Sequence, residues 1–404
     1  MLRSLFLIPL LAALASSAQA QTLPYYLGVV QAFTYVSNVY NAPTGTPEVS
    51  DVLSTTTLRG GVSATLSRQR LYANASVSHN RLIDQIGQNS NGYQLNVGAD
   101  WVTVGNLSGN VNLLANQTAV NFNPGVTVGP ATTSIERALA ASASARWGMT
   151  ARTSLDAGVN ARRVDYSATQ FAIGDYDQVG GQFGVNHALS GALSVGTGVS
   201  ASRTRYPTAL LVSPGVYLAD SARRGDVYAT ANWVPTAASS LTARVNFGKT
   251  EYERTPQRDF TGVTGLLAWA WQPTAKLKLT TTAARDTGRD SSFAQRLAAS
   301  TTTPTLDFSR LTDTLALRAD YALTAKVVVD AGVALARRDL VDLAGVLPAG
   351  TDTTTIYSLG ARWAPTRALG FGCNASHTAR HAASDLSSSY GSNALGCYGS
   401  FTLQ

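Results

Sequence analysis

Apolar and polar residues alternate with a period of two through most of this chain, and short runs of turn-forming residues interrupt the alternation. In the stretch ending at Trp233, Val227, Ala229, Ala231 and Trp233 share one parity, while Asp226, Tyr228, Thr230 and Asn232 share the other. The next stretch sets Leu241, Ala243, Val245 and Phe247 against Thr242, Arg244 and Asn246. Further on, Val263, Leu267, Trp269 and Trp271 share a face. Leu315, Leu317, Ala319 and Tyr321 alternate with Arg318 and Asp320, and Tyr357, Leu359, Ala361 and Trp363 with Ser358 and Arg362. Successive side chains of a strand point to opposite faces, so each stretch reads as a strand with one oily and one polar side. A slip of one residue would turn Arg244, Asp320 or Arg362 to the oily side, at about 2–4 kcal/mol for a basic group at a bilayer midplane.

The interruptions are of two kinds. Short turns fall near 68 to 70, 103 to 106, 148 to 152, 188 to 192, 235 to 239, 273 to 276, 323 to 326 and 365 to 368. Longer Gly/Pro/Asn/Ser/Thr-rich connections fall near 39 to 53, 83 to 91, 123 to 135, 171 to 177, 207 to 224, 254 to 258, 288 to 306, 340 to 351 and 381 to 390. Short periplasmic turns on one side and long extracellular loops on the other are the anatomy of a transmembrane antiparallel up-and-down β-barrel. The count is about 18 strands, with both ends of the chain periplasmic.

Tryptophan placement agrees. Trp101, Trp147, Trp233, Trp271 and Trp363 each close the outward set of a strand just before a short turn, three of them within Trp-Val-Pro-Thr, Trp-Gln-Pro-Thr and Trp-Ala-Pro-Thr. Indoles at one depth suit a water/lipid boundary, because the ring is apolar while its N–H seeks a polar partner. They form the expected periplasmic-side aromatic girdle. A soluble β-helix or sandwich would alternate too, but needs no such ring.

Residues 1–20 carry Arg3, an apolar run from Leu5 to Ala15 and the cleavage pattern Ala18-Gln19-Ala20, which reads as a secretory signal peptide, leaving 21–404 as the barrel. Only 14% of residues are charged and 45% are apolar, without a linker or a shift in composition, so one repetitive domain fits better than several soluble ones. Among the 31 bases only Lys249, Lys276, Lys278 and Lys326 are lysines. Arginine's bidentate fork suits lipopolysaccharide headgroups or an acidic glycan, although arginines also balance lumen acids and line rims. No basic run marks a nucleic-acid surface. The polar parity nominates Asn160, Tyr228, Asn232, Arg244, Asn246, Arg318, Asp320 and Arg362 as lumen-lining residues. Tyr228 is a candidate stacking face for a sugar.

Cys373 and Cys397 lie symmetrically about position 385 on the outward parity of the last two strands. In a simple antiparallel register they oppose each other, either as a disulfide or as two free thiols. His79, His187, His377 and His381 are scattered, and neither His-Glu-x-x-His nor Gly-x-Ser-x-Gly occurs. His79 beside Asn80 is the one place where a barrel enzyme could orient a serine. The pattern names no catalytic residue, cofactor or metal ligand, and the expectation is a non-enzyme.

Several segments resemble EpsL-type outer-membrane proteins encoded with bacterial exopolysaccharide biosynthesis genes. They are Asn91-Gly92-Tyr93-Gln94-Leu95-Asn96-Val97-Gly98-Ala99-Asp100-Trp101, the stretch from Arg258-Asp259-Phe260-Thr261-Gly262 to Arg285-Asp286-Thr287-Gly288, and Gly396-Cys397-Tyr398-Gly399-Ser400-Phe401-Thr402-Leu403. The resemblance implies a porin-like outer-membrane barrel linked to synthesis or export of an extracellular polysaccharide; the partners expected are outer-membrane lipid and lipopolysaccharide, the polysaccharide or small hydrophilic solutes, and other export components. A general diffusion porin for small hydrophilic solutes is the alternative. The pattern sets no oligomeric state.

Overall fold

The computed structural model describes residues 25–84, 89–120, 134–148, 151–213, 216–287, 309–341 and 348–403. Residues 1–20, expected to be a signal peptide, lie outside them. The described chain forms strands β1 (Tyr25–Val36), β2 (Asp51–Leu66), β3 (Gln69–Leu82), β4 (Ser90–Val102), β5 (Leu107–Val120), β6 (Ser134–Trp147), β7 (Thr153–Tyr166), β8 (Tyr176–Ala188) and β9 (Leu193–Ser213). They continue as β10 (Val216–Thr236), β11 (Ser239–Tyr252), β12 (Phe260–Trp271), β13 (Leu277–Asp286), β14 (Ser309–Ala322), β15 (Val327–Leu340), β16 (Gly350–Trp363), β17 (Leu369–Ala382) and β18 (Tyr390–Leu403). Each strand pairs antiparallel with its sequence neighbours, and β1 pairs with β18 from Leu27↔Leu403 to Val36↔Ala394, closing an 18-stranded barrel. Closure matters because an open sheet edge inside hydrocarbon would leave backbone groups without partners.

The short turns sit where the sequence places them. Two of the three Trp-x-Pro-Thr motifs gain a physical reason: Thr274 Oγ1 accepts the Lys276 and Leu277 amides at 3.3 and 3.0 Å, and Thr366 Oγ1 accepts the Leu369 amide at 3.0 Å. Thr324 does the same in the turn before β15. Asn106, with φ 64°, and Gly148, with φ 95°, supply the left-handed residues of two other turns.

The connection expected at 207 to 224 is a correction. There β9 and β10 run on as a paired hairpin to Ser213 and Val216, each strand 21 residues long. Proline suggests a break because it lacks an N–H, but Pro207 lies where the register slips between Leu218 and Asp220, and Pro235 lies in the slip between Trp233 and Thr236. A bulge needs no ladder donor at that point, so the hairpin continues through both.

The outer wall is apolar along the lower and middle strands. Val227, Phe247, Leu359, Leu317 and Val159 are all exposed although large and hydrophobic, as a lipid-facing surface requires. Trp147, Trp233, Trp271 and Trp363 are exposed on that wall at the turn end, and Trp101 shares it, lying over Gly109, where a Cβ would stand 2.4 Å from the indole. Trp269 stacks on Trp271 with centroids 5.5 Å apart and donates Nε1–H to Ser239 Oγ at 3.0 Å. Cys373 and Cys397 are direct partners in the β17–β18 ladder and are joined as a disulfide with Cα atoms 4.0 Å apart, also facing outward.

Candidate functional site: the inner wall

Which strands bring polar groups inside follows from the ladder, since paired residues share a face. Across β8 to β12, Gly184, Gly198, Tyr228, Asn246 and Thr264 are successive partners, so one inward row crosses five strands. The two glycines leave space that the Tyr228 ring fills: a Cβ at Gly198 would stand 2.4 Å from its hydroxyl oxygen, and one at Gly184 2.5 Å. Arg244 lies on the Tyr228 ring, its guanidinium carbon 3.8 Å from the centroid, and donates to Asn246 Oδ1 at 2.9 Å and Gln182 Oε1 at 3.0 Å. Tyr228 is therefore 7% exposed, and its stacking face, nominated for a sugar, is covered by Arg244. Similar tyrosine-on-glycine joints occur at Tyr26 over Gly61, Tyr72 over Gly98 and Tyr398 over Gly372.

Toward the loop end the inner wall carries buried charged networks. Arg224 donates to both oxygens of Asp226 and, at 2.8 Å, to Thr264 Oγ1, with Thr287 as a further acceptor. Asn246 also donates to Thr264 Oγ1 at 3.2 Å. Further round the wall, on β15 and β16, Arg338 donates from Nε to Asp352 Oδ1 at 2.9 Å, and Ser387 Oγ donates to Asp352 Oδ2 at 2.7 Å. Buried aspartates also fasten loops to strand ends: Asp51 Oδ1 accepts the Val52, Ile83 and Asp84 amides, and Asp220 accepts the Ser221 and Arg254 amides and the Thr255 hydroxyl. These anchors satisfy backbone donors that would otherwise be buried unpaired.

Toward the turn end the inner wall is wet. Arg318 stands 3.2 Å from both Asp320 and Asp330, yet its side chain is 55% exposed. Arg146 beside Asp156 is likewise 55% exposed, and Arg70 beside Asp100 is 59% exposed.

The nominated residues therefore fall into groups. Tyr228, Arg244 and Asn246 come together in one network, and Arg318 and Asp320 pair directly. Asn160 shares the inward parity opposite Ser142 and Gly180, without joining either group. Asn232 and Arg362 are inward and exposed near the turn end. The sequence reading did not single out the Arg224–Asp226–Thr264–Thr287 network, whose contacts reach 40 and 63 residues along the chain, or the Arg338–Asp352 pair, whose members face each other across β15 and β16.

The histidines point away from the interior. His79 shares a hydrogen bond of 2.7 Å with Asn91, His187 one of 2.9 Å with Thr153 and His377 one of 2.8 Å with Asn393, each pair on the outward parity. His79 thus engages an amide of the next strand rather than a serine. Among the described residues no group of three or more His, Cys, Asp or Glu is placed to hold a metal ion.

An oily outer wall, a polar inner wall and closure into a cylinder make this a porin-like barrel of the bacterial outer membrane. No protein-family model matches the chain, and no curated protein does. Among solved structures it is similar to the outer membrane protein opdK from Pseudomonas aeruginosa, at 10% identity, TM-score 0.48, covering 94% of this chain and 99% of that one. It is also similar to OccAB4 of Acinetobacter baumannii, at 7% identity and TM-score 0.48 over 95% and 99% of the chains. For OprD of Pseudomonas aeruginosa the values are 14%, 0.44, 94% and 95%. Likeness at these values carries no argument about activity, which rests on the geometry of the chain itself.

Proposed function

We propose that this barrel is a diffusion channel for small hydrophilic solutes. The observation that carries the reading is the wet inner wall: Arg70, Arg146 and Arg318 point inward with side chains more than half exposed, which calls for water beside them. Barrels of 16 to 18 strands are wide enough to leave an aqueous passage. The exposed bases stand among acids, Asp100, Asp156, Asp320 and Asp330, so solutes of either sign meet a partner and none is held tightly. Weak, repeated contacts suit passage, since a solute must leave as readily as it enters. Export of a polysaccharide rests on the sequence resemblance alone, and the covered ring of Tyr228 removes the sugar platform that reading called on.

The test is purified protein in planar bilayers and in liposomes. Stable conductance steps and uptake of small sugars are expected; a silent barrel that leaves liposomes tight to sugars ends the proposal. Deleting the gene and assaying secreted polymer separates the two readings, with unchanged polymer expected for a diffusion channel.

A further inference from the structure

On the outer wall, Trp233 and Leu193 are direct partners at the turn end of β10 and β9, and ten residues further up each strand Arg223 and Arg203 are direct partners as well. A membrane strand needs about 9–11 residues to cross the hydrocarbon. The arginine pair therefore sits at the opposite boundary, at the level of the outer-leaflet headgroups. Below it the outward set is apolar or small, with Val199, Ala201, Val227 and Gly225; Arg205 adds a third base two residues above. All three arginines are exposed, and among the described residues none of them has a hydrogen bond or a close ion pair. Like charges directly opposed in a ladder destabilise it. The nearest acids are shared with other bases: Glu251, opposite Arg223, lies 2.5 Å from Lys249, and Asp177, opposite Arg205, lies 3.7 Å from Arg163, so neither relieves the Arg203–Arg223 pair fully.

We infer that Arg203, Arg205 and Arg223 form a binding site for the phosphate of a phosphorylated glycolipid in the outer leaflet. Guanidinium forks match phosphate oxygens bidentately, and an anion between Arg203 and Arg223 converts their repulsion into two attractions. The cluster faces away from the lumen and abuts the apolar band, so the molecule beside it is a lipid rather than a permeating solute. The site is independent of whether the lumen conducts.

The experiment is native mass spectrometry of the barrel in neutral detergent, with a bisphosphorylated glucosamine lipid or its dephosphorylated form. Wild-type protein is expected to retain the phosphorylated lipid and release the other. Arg203→Gln with Arg223→Gln is expected to weaken retention about thirtyfold, and Arg223→Gln alone about fivefold. Arg337→Gln, which removes an exposed outward base on β15, should change nothing. Heat-modifiable mobility on gels establishes that each variant is folded, and the single variant serves if the pair is not. Equal retention of the two lipids, or full retention by a folded double variant, overturns the site.

Discussion

Arg318 beside Asp320 and Arg224 beside Asp226 are the same chemical pair, each two residues apart on one strand and facing the same interior. The first, near the turn end, is 55% exposed at its arginine; the second, toward the loops, is 7% exposed. In water an ion pair contributes about 0–1 kcal/mol and is screened by salt, whereas a buried pair that loses one partner leaves a charge without solvent. The barrel thus has a lower half whose charges address solutes and an upper half whose charges hold the wall and loops together.

Four single substitutions and one double replacement can break this division. Arg338→Ala strands the fully buried Asp352 carboxylate, and a loss of about 3–5 kcal/mol is expected in urea unfolding of the folded barrel. Arg338→Met with Asp352→Leu should recover much of it; no recovery would mean that the pair itself, not its burial, sets stability. Arg224→Met leaves Asp226 only 9% exposed and without its fork, and about 2–4 kcal/mol is expected by the same measurement. Arg244→Ala uncovers Tyr228 and removes an inward base that donates to Asn246 and Gln182. Unfolding should shift by about 1 kcal/mol while single-channel current rises measurably and preference moves toward cations. Arg318→Gln should change stability by less than about 0.5 kcal/mol and move the reversal potential toward cations in dilute salt only, since the Debye length falls to about 3 Å at 1 M. A large stability loss at Arg318 would erase the distinction between the halves.

The wall was readable from the chain because period two, a tryptophan before each of several turns and Thr hydroxyls within them all report local geometry. That is why Trp271-Gln272-Pro273-Thr274 could be placed before any fold was known. The extent of β9 and β10 was not readable, since a proline at a bulge looks like a proline at a break. Nor was the packed upper lumen. Parity tells that Arg224 points inward, but its acceptor Thr287 lies just past the end of β13, off the inward parity and 63 residues away in sequence, and nothing local announces the contact. Tyr228 shows the same gap: its direction follows from Asp226 and Thr230, its cover from a diagonal reach of Arg244 across the sheet.

The Cys373–Cys397 bridge faces outward on the last two strands, one row above Trp363 and Phe371 on the membrane side of the girdle. Sulfur exchange proceeds through a thiolate, an ion that hydrocarbon does not tolerate, and the charged thiols and disulfides that would exchange with it stay in water. Embedding therefore locks whichever redox state the chain arrives with. The final hairpin has to acquire its covalent clasp while still bathed in periplasmic fluid, ahead of the moment at which β18 meets β1 and the ring shuts.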